Sequence, residues 1–311
     1  LDNVEIPDLM MVNPNDVESI SVLKDAASAS IYGARAMAGV IVVTTKKGKS
    51  GTNKISYTGE FTMRMKPSYS NFNIMNSQEQ MDVYKNMEQN GSLSFVDSYR
   101  ASQSGVYGKM YHLINQYSAT GGVFGLANTP EARGAYLKQA EFRNTDWFDL
   151  LFSNSISQNH AVSMATGTDK ASYYTSISVM NDPGWTKRSK VQRYTANINS
   201  TYNIFKNLTL NLIGNASFRK QQAPGTLGSQ ADPVSGEVKR DFDINPYSFA
   251  LNTSRTLDPN EYYVRNYAPF NIFHELDNNY MDLKVTDMRF QGEMKWKPIQ
   301  KVELSILGAY K

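Results

Sequence analysis

"RYTANINSTYNIFKNLTLNLIGNASFR", residues 193–219, alternates twice. In its first half Tyr194, Ala196, Ile198 and Tyr202 stand opposite Arg193, Thr195, Asn197, Asn199 and Thr201. In its second half Leu208, Leu210, Leu212, Ala216 and Phe218 stand opposite Thr209, Asn211, Asn215, Ser217 and Arg219. Successive side chains of a strand point to opposite faces, so a period of two gives each half one apolar and one polar face. Only the short connection 203–207 separates them.

The same pattern recurs on both sides. "ISYTGEFTMRM" (55–65) sets Ile55, Tyr57, Phe61, Met63 and Met65 against Ser56, Thr58, Glu60, Thr62 and Arg64. "SYYTSISVM" (172–180), "MRFQGEMKW" (288–296) and "VELSILGAY" (302–310) behave likewise, and "SQNHAVSMAT" (157–166) is a weaker seventh strand with only Val162 and Met164 clearly apolar. Two-faced strands of this length suit a transmembrane barrel. The connections alternate in length: 66–155 is long, 168–170 short, 182–191 intermediate, 203–207 short, 221–283 long and 298–301 short. Outer-membrane barrels show this parity, with short periplasmic turns and longer extracellular loops. On the apolar faces Tyr57, Tyr173, Tyr202 and Trp296 fall beside the short turns, and Tyr194, Phe218 and Tyr310 toward the loops, as two interfacial girdles would. The alternative is a soluble β-sandwich, whose strands also alternate but are usually shorter and lack the loop parity.

Composition removes other classes. The 311 residues carry 32 basic and 29 acidic groups, a net charge of +3, far from the basic stripe that nucleic-acid binding requires. There is no cysteine, so there is no disulfide or thiolate site, and no apolar run is long enough for a membrane-spanning helix. His112, His160 and His274 lack metal-ligand spacing, and no Gly-x-Ser-x-Gly or phosphate loop occurs, which argues against an enzyme and against a cofactor. The chain starts at Leu1 and stops within a strand pattern at "LSILGAYK", which reads as a piece of a longer protein.

The region ahead of the strands differs. "SISVLK" (19–24) alternates like a half-buried strand, Asp25 suits a helix N-cap before "AASASIY", Gly33 suits its C-terminal stop, and "GVIVVTT" (39–45) is a β-branched strand. The whole stretch "NPNDVESISVLKDAASASIYGARAMAGVIVVTTKKGK" (13–49) resembles the end of the plug domain of SusC/RagA-type TonB-dependent outer-membrane transporters. The residues that carry the resemblance include Glu18, Lys24, Asp25, Tyr32, Gly33, Arg35, Gly39, Thr45 and Lys46; Ala36-Met37-Ala38 departs from the Gly-Ala-Asn common in that family. "TDWFDLLF" (145–152) and the strands that follow resemble the start of the family's barrel.

The resemblance implies a mostly β fold: a partial transmembrane antiparallel barrel of about seven strands, against about 22 in plugged transporters, preceded by the C-terminal part of an α+β plug. Residues 1–51 would be plug and 52–311 the first part of the barrel, with long extracellular loops 66–155 and 221–283. It implies energised import across a Gram-negative, Bacteroidota-like outer membrane. The partners implied are a SusD-like surface lipoprotein, TonB acting through an earlier segment, outer-membrane lipid, and a glycan or, in some members, a peptide. A non-transporting surface barrel or adhesin is the alternative, against which the plug segment counts.

Periodicity places Glu60, Arg64, Arg193, Arg219, Arg289, Glu293 and Lys295 on lumen faces. Arg35 of the plug is expected to pair with Glu60 or Glu293, the alternative being a solvated lining. Aromatics of 242–280, among them Tyr262, Tyr263 and Tyr267, together with Trp185, are candidates for substrate stacking, the alternative being that they pack the loops or meet the lipoprotein. Ser77 and Gln80 suggest a capping box with Gly91 as the stop, and Thr129-Pro130 a second helix start.

Overall fold

The structure is a computed structural model, described over residues 1–6, 9, 12–24, 39–92, 105–225, 227–231, 238–242, 244–265 and 268–311. Strands β1 (Val17–Leu23) and β2 (Val40–Thr45) form an antiparallel pair. After β3 (Asn53–Arg64) come helices α1 (Ser77–Gln89) and α2 (Gly105–Asn115), the two-residue strands β4 (Tyr117–Ser118) and β5 (Val123–Phe124), and helices α3 (Pro130–Arg143) and α4 (Trp147–Leu151). Four long strands follow: β6 (Ser155–Gly167), β7 (Ala171–Asp182), β8 (Lys190–Phe205) and β9 (Leu208–Pro224). The second long connection holds β10 (Leu227–Ala231), β11 (Val238–Phe242), α5 (Pro246–Asn252), β12 (Tyr263–Arg265), β13 (Ala268–Phe270) and α6 (Ile272–Asn278). It leads to β14 (Tyr280–Ile299) and β15 (Val302–Tyr310).

All seven strands read from the alternation are present in one antiparallel sheet of order β15-β14-β9-β8-β7-β6-β3, each paired with its successor along the chain. This is a barrel wall with β3 and β15 as its edges. Its faces are inverted relative to a protein in water. Ile177 and Phe290 are 64% and 60% exposed, whereas Arg289 and Asn199 are each 1% exposed. Ser176, Ser178, Thr195, Asn197 and Ser217 are buried with them, so the polar face is the covered one. A sandwich would bury the other face; apolar outside and polar inside is the transmembrane arrangement.

β14 starts at Tyr280, well before the alternation at 288–296 announces it, and pairs with β9 as far as Tyr280↔Pro224. The reason is a reversal of polarity along one face. Below this point Met288, Phe290, Met294 and Trp296 are exposed and apolar; above it the same face carries exposed Asp282, Lys284 and Thr286. The strand continues beyond the apolar band, and there it no longer looks like a membrane strand.

The plug segment packs differently from the half-buried β1 expected. Ile20 and Val22 are exposed, and the buried positions are Val43 and Thr45 of β2, the strand whose end is tied to the wall. Gly48 then passes so close to the wall that a Cβ would lie 2.4 Å from the Tyr173 amide nitrogen and 2.8 Å from the Thr166 carbonyl oxygen, a gap only glycine fits.

The two long connections fold together into one helical domain. Its core joins Tyr69, Met81, Val106, Met110, Phe148 and Leu151 from the first to Ala250, Leu257, Ile272 and Leu276 from the second. Hydrogen bonds fix the join: Tyr69 Oη donates to the Ala250 carbonyl (2.6 Å), Trp147 Nε1 to that of Ser254 (3.0 Å), and the Thr145 amide to that of Arg255 (2.8 Å). The capping box of α1 is Asn76 with Glu79, one residue before the expected Ser77 and Gln80. Those two face the domain interior instead: Ser77 Oγ donates to the Glu141 carbonyl, and Gln80 Oε1 accepts from Ser254 Oγ and the Arg255 amide. Thr129 caps α3 as expected, and Gly91, just past α1, has φ +69°.

Candidate functional site: the plug–wall seam and the loop rim

Where the plug segment meets the polar face of the wall, side chains from both sides form a hydrogen-bonded seam. Asp2 is its centre. Its amide donates to the Val43 carbonyl (2.9 Å), and its carboxylate accepts from the Thr45 amide and hydroxyl (2.9 Å each), tying the chain start to β2. From the wall, Arg289 Nη2 lies 3.4 Å from Asp2 Oδ2, Arg289 Nη1 donates to the Leu1 carbonyl (2.8 Å), and Gln291 Nε2 donates to the Asp2 carbonyl (2.9 Å).

Cross-strand pairing explains why Arg289 is held so firmly. It sits opposite Asn215 on β9, which sits opposite Asn197 on β8. Asn215 Oδ1 accepts from Arg289 Nε (3.0 Å) and Nη2 (2.6 Å), and Asn215 Nδ2 donates to Asn197 Oδ1 (2.8 Å). A buried guanidinium is tolerated only when paired and hydrogen-bonded in this way. Beside it the amides of Asn13 and Asn197 open onto a cavity of about 30 Å³, whose size and polarity suit a bridging water.

Two further attachments flank this centre. Asp16, set by the one-turn helix Pro14–Asp16 with Asn13 as its cap, accepts from Tyr174 Oη of β7 (2.9 Å). Asn199 Nδ2 of β8 donates to Thr45 Oγ1 and the Lys46 carbonyl (3.3 Å each). Toward the β3 edge, Asn15 Nδ2 donates to Glu60 Oε1 (3.3 Å), whose other oxygen accepts from Asn159 Nδ2 (2.9 Å), and Lys46 Nζ donates to the Asn15 carbonyl (2.7 Å).

Of the residues singled out from sequence, Thr45, Lys46 and Glu60 therefore stand in the seam. Glu293 is engaged within the wall, by Asn211 Nδ2 (3.1 Å) and Lys295 Nζ (3.3 Å). Glu18 and Lys24 are exposed at and just beyond β1, and Gly39 enters β2 with φ +93°. Asp25, Tyr32, Gly33, Arg35 and Tyr267 lie outside the described residues. The alternation marks Arg289 as a lumen charge and sets Tyr174 on the polar face, while nothing in the sequence pattern singles out Asp2, Asp16 or Gln291. The asparagines at 197, 199, 211 and 215 were the available signal, because an amide can donate to one neighbour and accept from another along a lining.

At the loop rim most candidate aromatics are structural. Trp185 donates from Nε1 to the Met65 carbonyl (3.0 Å) and meets Phe152 edge-on at 5.1 Å and Tyr247 at 6.2 Å. Tyr263 packs against the helical core under Lys109 Nζ, 5.1 Å from its ring, with its hydroxyl accepting from the Asp258 amide (2.9 Å); burial pushes that phenol well above its ordinary range. Tyr262, 49% exposed and edge-on to His274 at 5.8 Å, presents its ring outward. Among the described residues no cluster could hold a metal ion.

An antiparallel wall that is apolar outside, polar inside and carries a separate segment hydrogen-bonded to its inner face is the wall of a plugged β-barrel. The profile of the TonB-dependent Receptor Plug Domain matches residues 1–40. The chain is 32% identical over 199 residues to the TonB-dependent receptor SusC of Bacteroides thetaiotaomicron, covering 64% of this chain and 15% of that protein. It is 28% identical over 280 residues to the TonB-dependent receptor P26 of Formosa agariphila, covering 83% of this chain and 24% of that one. The fold matches the RagAB peptide importer in its open-open state with a TM-score of 0.65 at 21% identity, over 96% of this chain and 32% of that one. These likenesses support a SusC/RagA-type TonB-dependent transporter, and the chain spans less than a third of the length of the relatives it matches.

Proposed function

We propose that the protein to which this chain belongs imports a nutrient across the outer membrane, with a SusD-like lipoprotein over the loop rim and TonB drawing on the plug from the periplasm. Residues 1–51 are then the end of the plug, 52–311 the first part of the barrel, and the helical domain lies outside the cell. The cargo is an oligosaccharide in this reading, with exposed Tyr262 available for stacking on a sugar face. Peptide cargo is the second reading, favoured by the structural likeness to a peptide importer. The protein carries out no covalent chemistry.

The observation that carries the proposal is the seam. The plug segment is held on the lumen wall by hydrogen bonds around one buried ion pair, Asp2–Arg289. Such contacts fix position while the segment is seated and can be exchanged for water when it moves. Arg35 would add to it at Glu60, the carboxylate that already touches the plug through Asn15.

The test is growth of the source bacterium on single oligosaccharides or peptides as sole carbon source. Loss of growth on one class after deletion of the full-length gene, and again after deletion of tonB, would support import and name the cargo. Uptake that persisted without TonB would overturn the proposal.

A further inference from the structure

The short connections of the wall are laced into one row. Asn203 at the end of β8 donates from its backbone to the Lys170 carbonyl (2.8 Å) and from Nδ2 to the Asp169 carbonyl (2.9 Å), joining the β6–β7 turn to the β8–β9 turn. The Lys297 amide donates to the Asn207 carbonyl (2.8 Å), joining the β8–β9 turn to the β14–β15 hairpin. Each turn carries one lysine, Lys170, Lys206 or Lys301; all three are exposed and none forms an ion pair among the described residues. Two neighbouring charges are engaged: Asp169 accepts from Ser50 Oγ (2.6 Å), and Lys297 pairs with Glu303 at 3.0 Å.

Directly above this row the outer face is apolar and aromatic. Phe205 and Ile299 are exposed beside the turns, followed by Trp296 and the edge-on pair Tyr173–Tyr202 at 5.6 Å. At the loop end several cations are matched by carboxylates instead, as Arg64–Asp182, Lys66–Asp149, Lys109–Glu261 and Arg188–Asp277. Unpaired cations at a fixed height below an aromatic belt fit one partner: a layer of anionic headgroups beneath acyl chains.

We infer that the turn row is a binding surface for anionic phospholipid headgroups of the periplasm-facing leaflet, with Lys170, Lys206 and Lys301 on the phosphates and Trp296 and Tyr202 at the headgroup–acyl boundary. The inference rests on the reading that the wall spans a bilayer. A lysine at an anionic surface strengthens attachment on the order of fivefold, and the lacing of the turns keeps all three at one level.

The full-length transporter in phosphatidylcholine vesicles, doped with brominated phosphatidylglycerol or brominated phosphatidylcholine, reports this directly. The signal is the part of the tryptophan quenching that disappears in Trp296→Phe. Brominated phosphatidylglycerol is expected to quench several-fold more effectively at equal mole fraction. The preference should vanish in the triple variant Lys170→Gln, Lys206→Gln, Lys301→Gln and persist in the triple arginine variant. Equal quenching by both lipids, or a preference unchanged in the glutamine variant, overturns the headgroup site while leaving the membrane reading intact. No quenching by either lipid overturns both.

Discussion

The wall and the loop domain obey opposite burial rules within one chain. In the loop domain Phe148, Met110 and Leu276 are fully buried, and the polar side chains inside, such as Ser77 and Gln80, are hydrogen-bonded, as expected for a body in water. In the wall Arg289, Asn199 and Ser178 are buried while Ile177, Ile198 and Phe290 are exposed. Nothing about the side chains differs between the two regions; the surroundings do. The hydrophobic effect rewards removal of apolar surface from water, and a face turned to lipid gains nothing by being covered with protein.

The largest effect that would test this contrast is in the loop domain. Phe148→Ala should destabilise it by about 3–5 kcal/mol, since the ring contacts Tyr69, Phe72, Phe152 and Tyr247. Near-ultraviolet circular dichroism during thermal unfolding would show an early transition that leaves the wall's strand signal intact. Ile198→Arg on the wall's outer face should cost about 2–4 kcal/mol if that face meets lipid. Folding into phosphatidylcholine vesicles measures it, and a variant that folds as well as the parent would mean that the face is turned to water.

A third effect depends on pH and separates the regions without mutation. Burial in the loop domain raises the phenol of Tyr107 from its ordinary 10 to about 12, with nearby Glu88 adding to the rise, and raises those of Tyr69 and Tyr263 as well. A raised acid is harder to ionise folded than unfolded, so its stabilising contribution is full below pH 10 and is lost as pH climbs from about 10 to about 12. Phenolate absorbance of the loop-domain tyrosines should therefore lag behind that of free tyrosine and then rise together with loss of the domain's near-ultraviolet signal. The smallest effect is Asn76→Ala, which removes the α1 cap and should cost about 1 kcal/mol, read as faster amide exchange in the first turn of that helix.

The wall was legible in sequence because its signal is local. Alternation over nine to eleven residues, as in 193–202, needs no knowledge of distant chain. It fell furthest short over 280–287, where the outer face carries Asp282, Lys284 and Thr286 in place of apolar residues. The loop domain was largely illegible because its core is assembled from two connections far apart in sequence. Trp185 and Tyr263 illustrate the difficulty, as an aromatic ring serves equally well for packing and for display. The capping box slipped by one residue because Asn76/Glu79 and Ser77/Gln80 both satisfy the spacing, and only the contact of Ser77 with Glu141 decides between them. Arg289 could be placed on the lumen face, but that its partner is Asp2 depends on where the plug comes to rest.

The position of Asp2 also determines the order in which attachments would fail. Tension entering from the N-terminal side during the proposed import cycle reaches Asp2 before Asp16, Thr45 or Glu60. The load would thus fall on these bonds in series, one cluster at a time, as on a strip peeled from its end. Peeling needs only the force that parts the strongest single cluster, whereas pulling all of them at once would need their sum. A seam anchored first at Arg289 can therefore be secure at rest and still open under a modest directed pull.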